Sequence, residues 1–324
     1  MACLVYGRLA RVRILQSPPL FVLREKRFHA SLPNESKSVL SKTVACLAAL
    51  ASATGAARWS SSSCEEPGKH FQDTEKEDLR LYYSPGSSAS LRVLLALRCK
   101  RIPKTYVQLV PLRGCSGEGG KSFWQLPPDD PASHRLGTSD YFAFNREGRV
   151  PVLMIGMQQL TQSGAIISYL DNAARFSESY RLFPADALRN ARVLQIVNIV
   201  QCDIHPLQNL GLLTMAIRDF GMSGCISRSH PFSLHFMRRG LAGVEVILEE
   251  TAGKFSVGDE LSAADIYLIG QLRNAFNAGI DVAVEFPMSY RVWAHCLDIP
   301  EIRATLEEFG GLPNTKPKGP QSEG

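Results

Sequence analysis

Residues 82–97 read YYSPGSSASLRVLLAL. A short apolar run stops at Ser84-Pro85-Gly86. Serines then crowd around Ala89, and an apolar stripe follows with a helical period: 91, 94, 95 and 97 on one side, Arg92 and Arg98 on the other. This is a strand, a tight turn and a helix start in sixteen residues. Hydroxyls at a helix start cap its free N–H groups. The same N–H groups and the helix dipole also favour an anion, to which hydroxyls can donate. The stretch therefore predicts a strand–loop–helix unit with an anion site at the loop.

Downstream, the pattern continues as a mixed sheet with flanking helices. Leu79–Ser84 is the first strand, Ser90–Arg98 the first helix, and Thr105–Val110 (TYVQLV) an alternating strand. Lys121–Leu126 is expected to start a second helix. Val150–Ile155, a turn at Gly156 and Gln158–Thr161 read as a hairpin, and Gln162–Asn172 as a third helix. The order is β-α-β-α-β-β-α, with residues 124–143 read as a proline-rich surface loop carrying an insertion at about 125–140. Pro151 opens a central-looking strand, where proline is normally excluded. Two readings follow: an edge-strand proline, or a cis Val150-Pro151 peptide that turns the chain and exposes the Val150 backbone. The element order favours the second. Gln162-Ser163, at the start of the third helix, forms a second anion-binding helix end, suited to a carboxylate.

From Asp186 onward strand signals vanish. Ala187–Val200, His235–Glu250, Ala263–Ala275, Arg291–Leu297 and Ile302–Phe309 read as helices. Ser262 and Asp265 have capping-box spacing. The domain reading is a leader and linker without fixed structure at 1–77, an α/β domain at 78–175, an all-helical domain at 184–312, and a tail at 313–324.

Charge argues against a phosphate-binding face. Of 36 basic and 31 acidic residues, residues 1–64 hold nine basic and two acidic ones, which leaves 27 basic against 29 acidic in the body. The first 30 residues, rich in Arg and apolar residues, look like an organelle transit peptide. Val44–Ala57 is uncharged but shorter than the roughly 20 residues a membrane span needs. Three readings stay open: a mitochondrial presequence, which we prefer, a signal or anchor segment, and an extension with no address that leaves the protein cytoplasmic. Eight cysteines without a C-x-x-C pair, and none at zinc-ligand spacing with a histidine, read as reduced thiols with no metal. Gly119-Gly120-Lys121-Ser122 ends like a phosphate-binding loop, but Cys115 stands where that pattern needs glycine. No G-x-S-x-G occurs. Neither nucleic acid nor membrane is an expected partner.

SSASLR (87–92), RVP (149–151), TQSGAIISYLD (161–171), IHPLQN (204–209) and TAGKFSVGDELSAAD (251–265), with the two-domain order, resemble the zeta-class glutathione transferases, the family of maleylacetoacetate isomerase. The resemblance spans about residues 79–312. It implies a thioredoxin-like α/β N-terminal domain plus an all-α C-terminal domain, glutathione as cofactor and a homodimer. It implies that Ser87 hydrogen-bonds the glutathione sulfur and that Ser88, Ala89, Ser90, Leu91 and Arg92 complete that loop, with Ser87, Ser88 and Arg92 as the catalytic set. Val150 is then expected to pair with the peptide backbone of glutathione, Gln162 and Ser163 to hold its γ-glutamyl carboxylate, and Ser122, His205 and Asn209 to reach it as well. The implied reaction is cis–trans isomerisation of maleylacetoacetate to fumarylacetoacetate in tyrosine and phenylalanine breakdown.

Several residues depart from the family pattern. Ala89 stands where the family usually has cysteine, His205 and Ser122 where glutamines are common, and Asn277 where an arginine tends to pair a substrate carboxylate. Arg273, one turn earlier on the same helix face, is the expected substitute. Two alternatives stay beside the isomerase: a general glutathione-conjugating transferase, and a catalytically silent module of the same fold used for protein association.

Overall fold

Leu79–Tyr83 (β1) is apolar at every position but Arg80, so both of its faces need cover. In the computed structural model, whose described residues are 77–114, 124–309 and 311–312, both faces are covered. Val107–Pro111 (β2) pairs parallel to β1, Val152–Ile155 (β5) antiparallel to it, and Gln158–Thr161 (β6) antiparallel to β5, giving the order β2-β1-β5-β6. Two short strands, Arg113–Gly114 (β3) and Trp124–Gln125 (β4), pair separately.

Strand alternation divides the core. Leu79, Leu81, Tyr83, Leu153 and Ile155 face Ser88–Cys99 (α1) and Ser163–Asn172 (α4) in the main core. Tyr82, Val110, Val152 and Met154 face the other way, onto Leu126, Ala132 and Tyr141. This second cover comes from residues 124–144, which the sequence reading took for a helix start at Lys121–Leu126 and then a surface loop. The structure corrects both. Trp124-Gln125 is β4, and Pro131–Leu136 (α2) and Tyr141–Phe144 (α3) are short helices on the sheet. The signals lie in the residues read as loop: Asp130 caps α2 through the Ala132 N–H, Pro131 sits in its first turn, and Gly137 ends it in the left-handed region at φ 63°. Residues 115–123, with the decoy glycines and Ser122, lie outside the described residues, as do the leader and the tail beyond 312.

The remaining chain is helical. Ala187–Asn198 (α5) runs into a π-helical segment, Ile199–Ile204. Then come Leu210–Phe220 (α6), Pro231–Thr251 (α7), Ala263–Asn277 (α8), Val282–Glu285 (α9), Pro287–Leu297 (α10) and Pro300–Phe309 (α11). α6 and α9 are additions to the sequence reading. The buried Asp265 carboxylate accepts from the Ser256 N–H at 2.7 Å and the Ser262 N–H at 2.8 Å, the box expected at the start of α8.

The two halves share one core. Helix α1 packs against α4, α8 and α11, and the described residues form one compact unit. A buried ion pair ties the junction. Lys100 Nζ, just past α1, lies 2.9 Å from Asp171 Oδ1 in α4, with both side chains out of solvent. Asp171 also accepts the Leu182 and Phe183 N–H groups of the segment leading to α5. Each buried charge is thus hydrogen-bonded as well as paired.

Candidate active site

The serine loop sits where β1 feeds α1. Ser87 is the N-cap, and its Oγ accepts from the Ser90 N–H at 3.2 Å. That bond uses a lone pair, so the half-buried Ser87 hydroxyl keeps its hydrogen for an outside acceptor. Ser90 is different: its Oγ turns inward and accepts the Ser84 N–H, and the residue is fully buried. Leu91 lies in the hydrophobic core. The helical turn thus carries the side chains of Ser90 and Leu91, both expected in the glutathione loop, to its inner side. Ala89 remains partly open.

Ser88 and Arg92 belong to a network reaching the helical half. Ser88 Oγ and Arg92 Nη2 each lie 3.3 Å from His205 Nδ1. A guanidinium can only donate, so Nδ1 accepts and the His205 proton sits on Nε2. Ser88 therefore also donates to Nδ1, and its hydrogen is used. Of the two serines, Ser87 is the one free to donate to a ligand.

Arg92 is 1% exposed, stacked 4.7 Å from the centre of the Tyr267 ring, with Nε unpartnered. Burial draws its guanidinium down to about 10. Arg92, expected in the catalytic set, lies beneath the loop and meets His205 and Tyr267. Gly270 makes room for it, since a Cβ there would lie 3.3 Å from Arg92 Cγ.

His205 reaches this network because the chain winds as a π-helix just before it, closed by the His205 N–H to Val200 C=O bond at 3.0 Å. Such local widenings are common at functional sites. Burial first, then the charges of Arg92, Arg228 and Arg149, push the His205 imidazole down to about 3. It is neutral across the physiological range.

Val150 follows from the 124–149 segment. The Val150-Pro151 peptide is cis, and sheet pairing begins only at Val152. The Arg149 carbonyl just before it is fixed by two donors, Tyr141 Oη at 2.8 Å and Asn145 Nδ2 at 2.9 Å. Val150 is thus held just ahead of the interior strand β5, with its backbone outside the ladder.

The second helix end is also tied in. Gln162 caps α4 with φ at +68°, a left-handed backbone that non-glycine residues adopt mainly where the surroundings impose it. Its Nε2 donates to Glu147 Oε2 at 2.9 Å. Ser163 is buried behind it and hydrogen-bonds Tyr267, whose Oη donates to Gln201 Oε1 at 2.9 Å. Tyr267 thus joins the two helix ends, with Arg92 on its face and Ser163 at its hydroxyl.

Other expectations fare differently. Asn209, expected to reach glutathione, caps α6 by accepting the Gly211 N–H at 2.8 Å. Asn277 is exposed at the end of α8. Arg273 is 7% exposed, and its Nε and Nη1 have no partner. Tyr267, Gln201, Glu147, Arg149 and Arg228 escaped the sequence reading, because nothing local marks a residue that acts through a distant neighbour. No group of acidic, His or Cys side chains suited to a metal occurs among the described residues. No described helix is long and apolar enough to cross a membrane.

The glutathione S-transferase N-terminal domain family matches residues 81–178. A curated relative, probable maleylacetoacetate isomerase 1 of Drosophila melanogaster, is 31% identical over 240 residues, covering 74% of this chain and 83% of its own. A zeta-class glutathione S-transferase of Euphorbia esula is 28% identical and covers 73% and 93%. Among solved structures, a maleylacetoacetate isomerase from Methylobacterium extorquens AM1, with bound malonate and glutathione, aligns with a TM-score of 0.56 at 27% identity. That alignment covers 75% of this chain and all of the other.

Proposed function

Since the chain belongs to the maleylacetoacetate isomerase family of zeta-class glutathione transferases, we propose that it is a glutathione-dependent cis–trans isomerase of maleylacetoacetate, with glutathione conjugation as a side activity. The observation that carries this reading is the Ser87 hydroxyl, which keeps its hydrogen at the start of a twelve-residue helix. The other residues fit glutathione too. Val150 offers unladdered backbone to a peptide, and the α4 end offers N–H groups to a carboxylate.

Bound glutathione supplies a sulfur nucleophile that adds reversibly to an activated cis double bond, lets it rotate, and leaves. The protein must keep that sulfur ionised. A free thiol near pKa 8.5 is about 3% thiolate at pH 7. Lowering it by about two units takes about 2.7 kcal/mol of preference for the anion. One hydrogen bond to a charged group supplies about 1.5–3 kcal/mol and a helix end about 0.3–1 kcal/mol. Ser87 and the first turn of α1 therefore suffice. Neutral His205 orients Ser88 through Nδ1 and presents Nε2–H as a donor whose state does not change near pH 7.

Ser87→Ala should lower kcat/KM by about 10- to 100-fold, the loss of one such bond. It should also abolish retention on immobilised glutathione. Failure of the wild type to be retained would favour the silent-module alternative and overturn the reading. Assays with maleylacetone and with a neutral aryl halide separate isomerase from general transferase.

Two further parts of the proposal rest on the sequence and the family. The protein works as a homodimer, which a light-scattering mass of twice 35.7 kDa checks. The Arg-rich leader directs it to mitochondria; a fluorescent protein fused to residues 1–77 that stays diffuse in the cytosol rules this out.

A further inference from the structure

Tyr267 is wholly buried in α8, yet it meets three other elements of the site. A buried tyrosine needs a partner for its hydroxyl as well as cover for its ring. Arg92 of α1 covers the ring, with Cζ 4.7 Å from the centre. The hydroxyl donates to Gln201 Oε1 of the π segment at 2.9 Å. That spends its hydrogen, so the Ser163 hydroxyl of α4 donates to the Oη lone pairs.

The packing makes room for these contacts on both sides. Gly164 follows Ser163 in the first turn of α4, and a Cβ there would lie 3.1 Å from Tyr267 Oη and 2.7 Å from Gln201 Oε1. Gly270, one turn after Tyr267 on the same face of α8, serves α1 in the same way. A Cβ there would lie 3.3 Å from Arg92 Cγ and 3.5 Å from the Ser88 carbonyl oxygen. The starts of α1 and α4 thus come down onto one face of α8. Arg92 carries the placement further, because its Nη2 and Ser88 Oγ both meet His205 Nδ1. Arg92 Nε has no hydrogen-bond partner, and a desolvated aromatic face is a strong seat for a guanidinium.

We infer that Tyr267 is a positioning residue that sets the spacing between the two ends of the glutathione site. Its ring seats Arg92 beneath the serine loop, the place for the sulfur. Its hydroxyl seats the first turn of α4, the place for the γ-glutamyl carboxylate. The inference rests on the glutathione reading above and adds to it a residue of the helical half that acts only through its neighbours. The two roles use different atoms, so two substitutions separate them. Tyr267→Phe keeps the ring and removes the hydroxyl; Tyr267→Leu removes both.

The probe is glutathione, with its Kd measured calorimetrically and the pKa of its bound thiol read from the ultraviolet absorbance of the thiolate against pH. Tyr267→Phe should raise the Kd by about 3- to 10-fold, the effect of one hydrogen bond, and leave the bound thiol pKa within about 0.3 of wild type. Tyr267→Leu should raise the Kd and also lift that pKa by about one unit, because Arg92, and with it Ser88 and His205, loses its seat. A purely structural tyrosine would lower Tm in both variants and leave Kd and thiol pKa unchanged, and that result overturns the inference. An equal rise in thiol pKa in both variants also overturns it, since the hydroxyl would then serve the sulfur end. Tyr267→Phe preserves the volume of the ring, so it carries the test if Tyr267→Leu fails to fold: an unchanged Kd in it overturns the inference. A wild type that binds no glutathione overturns the glutathione reading and this inference with it, an outcome visible before any variant is made.

Discussion

His205 Nδ1 receives from two donors, Ser88 and Arg92, and that settles the imidazole's protonation. Its pKa is about 3 in the folded protein against about 6.5 in an unfolded chain. As pH falls below 6.5 the unfolded chain takes up a proton that the folded one refuses, so stability is present above 6.5 and lost downward toward 3. Between pH 7.5 and 5 this is worth about 1–2 kcal/mol. The urea midpoint of the wild type should fall over that range, and His205→Gln should show a smaller fall; equal slopes would refute the assignment. Glutamine keeps a donor at this place without titrating. The serines were legible as cap and anion site, because hydroxyls at a helix start have few other uses. Which serine keeps a free hydrogen was not legible, since that depends on a histidine 117 positions away.

The π-helical segment Ile199–Ile204 shows how one element places another's side chain. Gly240 in α7 lies directly against Ile204, and a Cβ there would collide with the isoleucine side chain. Gly240→Ala should gain about 1 kcal/mol of helix propensity and lose about 1–3 kcal/mol to overpacking, so packing wins. The expected outcome is a lower urea midpoint together with weaker glutathione binding, as His205 moves with Ile204; an unchanged midpoint would show the contact to be slack. Long periodic helices such as α5, α7 and α8 were readable to within a few residues. The misses have local causes. Residues 124–144 combine three prolines with real helix signals at Asp130, Pro131 and Gly137, and breakers outweighed caps. The π segment has no signature of its own, because IVQCDI continues the apolar period of α5.

The described residues are two folding patterns closed over one core, with the buried Lys100–Asp171 pair at their junction and the site where α1, α4, α8 and the π segment meet. Period-2 and period-3.6 patterning, turn residues and caps are local, and they were enough for the α/β-then-helical order, the hairpin after Pro151 and the two helix ends that suit an anion. Ser87 and Gln162 belong to that class, because each acts through the backbone next to it. The rest is non-local. Arg92 stands opposite the apolar stripe of its helix in the sequence and is buried against Tyr267, 175 residues on. The sequence alone names donors and helix ends; which proton is free, which cation lacks a partner and which side chains meet depend on contacts between distant segments, and only the packing of helices on the sheet creates them.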